Sequence, residues 1–157
     1  MSIDTAEFRR VLGHFVTGVT VVTARAPETD EPVGLTVNAV ASVSLDPALV
    51  LVCVERDAVS HDPIRDAGTF TINVLDAEQE SLSRRFSADD ATPSDKFRGV
   101  GWKAAAGGPV LEDALAWLDC RLWAHYPGGD HSIFVGEVLQ GDAREGTPLL
   151  YYRGGYG

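Results

Sequence analysis

The sequence predicts a mainly β protein, an antiparallel Greek-key barrel with two or three short flanking helices. Two observations carry this. Six or seven β-branched or alternating segments follow one another, whereas a parallel doubly wound sheet would interleave a helix after each strand. The chain has 157 residues, 45% hydrophobic and 23% charged. That suits one core, which at this size buries roughly 68–70% of the unfolded surface without a disulfide or metal. Barrel closure then leaves no exposed sheet edge. No repeat or linker divides the sequence, so residues 1–157 are expected to form one domain.

Asp4 and Glu7 have capping-box spacing. Phe8, Val11, Leu12 and Phe15 follow as the stripe of an amphipathic helix that Gly18 stops. Val19–Thr23 is β-branched and reads as a strand, and Ala26–Pro32 as a solvated turn. Gly34–Ser44 begins as a strand with Thr36, Asn38, Ser42 and Ser44 on one parity and Leu35, Val37 and Val43 on the other. Asp46-Pro47 turns the chain into a buried strand, Ala48–Val54. Ser60 has the position of an N-cap for a helix over His61–Ala67, and Thr69–Leu75 is another strand. Asp76 and Gln79 suggest a second capping box before a helix bearing Leu82 and Phe86. Ser87–Trp102 reads as a long surface loop. Ala116–Tyr126 alternates, with Cys120 on the apolar face and Asp119 on the polar one. Gly128-Gly129-Asp130 is a hairpin signal, His131–Gln140 the returning strand, and Leu149–Arg153 a last strand before Gly154-Gly155 ends the fold.

Thirteen basic against 23 acidic residues give a formal charge of −10. That excludes non-sequence-specific nucleic-acid binding, which needs a net basic face. A local basic pocket can still take a small anion. The longest apolar run, Pro47–Val54, is far short of a membrane span, and Met1–Arg10 has no apolar signal region. A cytoplasmic location is expected. Cys53 and Cys120 lie far apart without a CxxC, which fits two buried thiols and no metal. The sequence has no GxGxxG, P-loop, GxSxG or HExxH.

Chemistry can reside in five places. Gly34–Ser44 offers hydroxyls, an amide and strand-end N–H groups to a polar planar ring and a phosphate, or is an ordinary solvent face. Ser60 and His61 at a helix start suit an anion or a simple cap. Arg84-Arg85 near a helix end suits a phosphate or the helix dipole equally. His131 follows a tight glycine turn and can project from a barrel rim. Tyr151–Tyr156 is aromatic and basic, fit for a nicotinamide nucleotide or a dimer contact.

Together these segments resemble the flavin reductase family with the FMN-binding split-barrel fold, the small reductase components of two-component flavin-dependent monooxygenases. The match covers Phe8–Ala24 (FRRVLGHFVTGVTVVTA), Gly34–Val54 (GLTVNAVASVSLDPALVLVCV), Phe70–Leu75 (FTINVL), Leu82–Ser87 (LSRRFS), Gly129–His131 (GDH) and Pro148–Tyr156 (PLLYYRGGY). The resemblance implies a Greek-key split β-barrel, a homodimer, and FMN or FAD near the subunit interface. It implies Thr36, Val37, Asn38 and Ala39 along the flavin ring and ribityl chain, with Ser42 nearby and Cys53, Val54 and Glu55 on the adjacent strand. Ser60, Arg85 and Phe86 would surround the phosphate. His131, Tyr152, Arg153, Gly154 and Gly155 would contact NADH or NADPH, His131 orienting the nicotinamide without acting as a general base. The implied activity is hydride transfer to flavin, the reduced flavin passing to a partner monooxygenase. The alternatives are a split-barrel oxidase or electron carrier without a nicotinamide site, and a non-catalytic ligand-binding barrel.

Overall fold

The computed structural model describes residues 1–157. In chain order the elements begin with α1 (Thr5–Leu12), β1 (Thr17–Gly18), β2 (Thr20–Arg25), β3 (Pro32–Val37), β4 (Val40–Leu45) and β5 (Ala48–Glu55). Next come α2 (His61–Ala67), β6 (Thr69–Val74), α3 (Glu80–Phe86) and α4 (Pro93–Phe97). The chain closes with β7 (Trp102–Ala104), β8 (Pro109–Leu111), β9 (Ala116–Gly128), β10 (His131–Ala143), β11 (Leu150–Tyr152) and β12 (Gly155–Tyr156). Seven strands form one antiparallel sheet in the order β3-β2-β6-β9-β10-β5-β4. Laid flat, such a sheet would be about 29 Å wide at ~4.8 Å per strand. Yet only Asn38 and Ala39 join β3 at one edge to β4 at the other, a link of about 11 Å at most. The sheet must therefore roll until its edges meet. The Cys53 N–H donates to Ala39 O at 3.0 Å, carrying the β4–β5 ladder back into this link.

Gly34–Ser44 is thus two strands on opposite sides of a split, not one. Thr36 and Ser42 share no face, and a register shift between Ser42 and Ser44 breaks the parity further. The expected capping boxes form in part. Asp4 accepts from the Glu7 N–H at 2.9 Å, and Asp76 with Gln79 closes a reciprocal box. Helix α1 ends at Gly13, five residues before Gly18, where its cap N–H bonds back to Arg9 and Val11. No residue of α1 is buried, so its apolar stripe has no partner within the chain. The expected surface loop after Ser87 contains α4, capped by Thr92 and Asp95 with Pro93 opening its first turn. Gly154 does not end the fold: Arg153 (φ 52°) and Gly154 (φ 79°) turn β11 into β12.

Strand β2 is buried on both faces, which is why VTVVT carries no solvent parity. Val22 and Ala24 join Val52, Val54, Phe70, Ile72, Cys120 and Phe134 in one core. Val19 and Val21 face a second cluster with Phe86, Phe97, Leu111 and Leu149. Between β2, β6, β8 and β9 lies a buried polar lattice. Asp119, expected on the solvent face, is 1% exposed and accepts from the Gly107 N–H (2.6 Å), Thr71 Oγ1 (3.0 Å) and Gln140 Nε2 (3.0 Å). Asn73 donates to Val21 O and accepts from the Leu111 N–H. No buried side-chain polar atom is left unpaired.

Cys120 is buried, whereas Cys53 is only half-buried, against the expectation of two buried thiols. Burial, with Asp119 beside it, pushes the Cys120 thiol up to about 12. An unfolded cysteine ionises near 8.5. Above that pH the unfolded chain has released a proton that the folded chain retains. Stability should then fall by about 1.4 kcal/mol per pH unit, from the unfolded value up to the folded one. Denaturant titrations at rising alkaline pH should show this slope in the wild type and its loss in Cys120→Ala.

Candidate functional site

Three adjoining cavities line the split. The first, of 430 Å³, is bounded by Thr36, Glu55, Asp57, Phe86, Ser87, Asp89 and Lys96. The second, of 230 Å³, shares Thr36 and Ser87 with it and adds Asn38, Tyr151 and Tyr156. The third, of 640 Å³, shares Asn38 and Tyr151 with the second and reaches Arg9, Ala39, His131, Arg153 and Gly154. The shared walls make one groove, running from α4 past the end of β3 to the β9–β10 and β11–β12 turns.

At the centre the sheet is interrupted. The N–H groups of Asn38 and Ala39 lie between β3 and β4 and make no hydrogen bond within the chain. The Thr36 hydroxyl donates to Ser83 O at 2.6 Å, so towards the groove it offers lone pairs. Ser83 Oγ in turn meets the Tyr156 hydroxyl at 2.7 Å and ties α3 to β12. At one end Lys96, 7% exposed, donates to Gly34 O at 3.2 Å. Burial lowers its pKa while Asp89 pulls it back up. At the other end His131 Nδ1 lies 2.7 Å from Asp130 Oδ1, and that hydrogen bond holds the Asp130 carboxyl below its usual range. The Arg153 N–H bonds Gly13 O at 2.9 Å, fixing the β11–β12 turn against the end of α1. Arg9 and Arg153 both border this cavity, and neither guanidinium is in an ion pair.

Of the residues expected at a site, Thr36, Asn38, Ala39, Glu55, Phe86, His131, Arg153 and Gly154 border the groove. Others lie outside it. Val37 and Val54 point into the core. Ser42 is exposed on β4, and Cys53 sits mid-strand opposite Ile133. Ser60 holds the N-cap position of α2 as expected, but its side chain makes no capping bond and does not border the groove; it is 2% exposed and its hydroxyl donates to Gly34 O at 2.9 Å. Arg85 turns to the far side of α3 and donates to Arg98 O at 2.6 Å. Tyr152 packs edge-on to His14, and Gly155 pairs with Tyr152 in the terminal hairpin. Lys96, Ser87 and Arg9 also border the groove, though the sequence did not single them out. The Thr92-Pro93-Ser94-Asp95 capping signature could have revealed α4, and with it Lys96. No local signal marks Arg9.

A rolled antiparallel sheet with a polar groove along its split defines the split-barrel class of flavin-binding proteins. The comparisons narrow this. Residues 12–157 match the family model described as a flavin reductase like domain. The chain is 46% identical to the reductase component of 4-nitrophenol 4-monooxygenase/4-nitrocatechol 2-monooxygenase from Rhodococcus opacus, covering 99% of this chain and 81% of that one. It is 43% identical to an FMN reductase (NADH) of Agrobacterium fabrum, covering 98% and 86%. The solved structure of the Streptomyces globisporus NADH:FAD oxidoreductase, in complex with NAD and FAD fragments, superposes with a TM-score of 0.89 at 40% identity, covering 98% of this chain and 91% of that one. The chain belongs to the flavin reductase family. No helix is long and apolar enough to cross a membrane.

Proposed function

We propose that this chain is an NADH-dependent flavin reductase that takes FMN or FAD and passes reduced flavin to a partner flavin-dependent monooxygenase. One observation carries the reading: two free backbone N–H groups, at Asn38 and Ala39, lie in a groove with a buried ammonium at one end and two unpaired guanidiniums at the other. A flavin nucleotide needs a polar seat for its ring and a cation for its phosphate. A dinucleotide needs cations for its pyrophosphate. The residues present fit both. The homologues named as NADH-dependent flavin reductases support the donor.

Flavin supplies the hydride-accepting chemistry when bound. The Asn38 and Ala39 N–H groups are placed to hydrogen-bond an electron-rich ring edge, a preorganised interaction that strengthens as negative charge builds there. Thr36 and Ser87 line the path to Lys96, which holds the phosphate. Arg153 and Arg9 hold the dinucleotide, and Gly154 lets the backbone approach it. His131, oriented by Asp130, bounds the nicotinamide side and excludes water. Val37, Val54 and Cys53 contribute backbone and packing. Ser60 steadies Gly34 O from beneath, and Arg85 braces α3.

The test is loss of NADH absorbance on mixing protein, NADH and free flavin. A chain that binds flavin but leaves NADH unconsumed would favour the oxidase or carrier alternative and overturn the proposal. Replacing His131 with alanine should raise the KM for NADH about 5–20-fold, the loss of one or two contacts, and move the flavin Kd less than twofold. Equal loss on both would remove His131 from the nicotinamide side.

The proposal includes a homodimer. Phe8, Leu12 and Phe15 are 51%, 55% and 73% exposed and gather with Val40 around the largest cavity of the groove. Apolar side chains in one patch favour burial against a second copy. Sedimentation equilibrium should give twice the chain mass, and Phe8→Glu should halve it.

A further inference from the structure

We infer that the Lys96 end of the groove selects between flavin nucleotides, favouring FAD over FMN, because a single buried cation there shares its cavity with three acidic residues. The inference rests on the flavin-binding reading above.

Lys96 has three donors and spends one on Gly34 O. It enters no ion pair, although it is almost wholly buried and borders a 430 Å³ cavity. An ammonium in that position is costly unless an anion completes it. The same cavity is bordered by Glu55, Asp57 and Asp89. Lys96 can therefore pair directly with one phosphate oxygen, while the acidic residues around it repel any further negative charge placed beside it.

The two flavin nucleotides differ in this respect. A terminal phosphate monoester carries about −1.5 to −2 at pH 7. FMN would place all of that beside Lys96, leaving its excess charge among the carboxylates. The flavin-proximal phosphate of FAD is a diester with a single negative charge. Its other charge sits on the next phosphate, one linkage farther towards the adenosine. FMN should therefore meet more unscreened repulsion, an effect largest at low ionic strength. Membership of the family leaves the choice open, since its members include an FMN reductase and an NADH:FAD oxidoreductase.

The experiment measures Kd values for oxidised FAD, FMN and riboflavin at low salt by flavin fluorescence, with full-length wild type, Lys96→Met, Lys96→Arg and the double variant Asp57→Asn, Asp89→Asn. Both aspartates are exposed, so the double variant keeps the fold. Wild type should bind FAD about tenfold tighter than FMN. Lys96→Met should weaken FAD and FMN at least tenfold and riboflavin less than twofold, and Lys96→Arg should restore most of the loss. The double variant should close the FAD–FMN gap to within about threefold. FMN binding as tightly as FAD in wild type, an unchanged gap in the double variant, or equal loss of riboflavin in Lys96→Met would each overturn the inference and leave flavin binding intact. Failure to bind all three flavins would overturn the flavin-binding reading itself.

Discussion

Asp119→Ala is expected to destabilise the fold by about 3 kcal/mol, the largest stability effect of any single polar substitution in the barrel. The carboxylate accepts three hydrogen bonds, from Gly107, Thr71 and Gln140, at 1% exposure. A hydrogen bond to a charged group contributes about 1.5–3 kcal/mol, and a buried donor left without a partner adds roughly 1–3 kcal/mol of desolvation penalty. Gly107 packs so closely that a Cβ there would lie 2.5 Å from Phe70 O, so the segment carrying this donor is held tightly against β6. For a chain of this length each kcal/mol lowers Tm by about 2–4 °C, so thermal unfolding should begin roughly 6–12 °C earlier. Gln140→Ala removes only the outermost donor and should cost less than about 1 kcal/mol. Equal shifts for the two variants would show that the lattice does not depend on Asp119.

Arg153→Ala is expected to have the largest effect on turnover at limiting NADH, raising its KM about 10–100-fold with the flavin Kd changed less than twofold. The guanidinium is unpaired, borders the largest cavity of the groove and sits on a turn pinned to Gly13. A charge-assisted bond from arginine to a phosphate oxygen contributes about 1.5–3 kcal/mol, which is that range in affinity. Arg153→Lys should recover only part of the loss, since a point charge cannot reproduce the planar fork. Added salt should raise the wild-type KM and flatten the difference between wild type and Arg153→Ala. A flavin Kd that weakens in step with the NADH KM would place Arg153 on the flavin instead.

Much of this was legible before the structure. Alternation over Ala116–Tyr126 located β9, and the Gly129-Asp130 turn set its hairpin with β10. The Asp76–Gln79 box marked the turn into α3. At Gly34–Ser44 the hydroxyls and the amide were visible, but the break at Asn38-Ala39 was not. Asn38 is a turn residue, but with Ala39 after it and β-branched residues on both sides it does not announce a break, and the interruption arises from rolling the sheet edge to edge. Arg84-Arg85 suited a phosphate or the helix dipole equally on charge alone; the structure has Arg85 donating to Arg98 O, while Lys96 comes to the groove from a segment that looked like solvated loop.

The sequence by itself determined the class of fold, the order of its elements and the segment that would form the seat of the site, because periodicity, capping and turn chemistry act over a few residues. Only the tertiary structure decided which charges share a cavity. Barrel closure and the docking of α1, α4 and the terminal hairpin bring Arg9, Lys96, His131 and Arg153 around the Asn38-Ala39 gap. It also buried Asp119, whose solvent parity was overruled by the Gly107 segment packing over it. Those outcomes depend on contacts between distant parts of the chain, which no local pattern encodes.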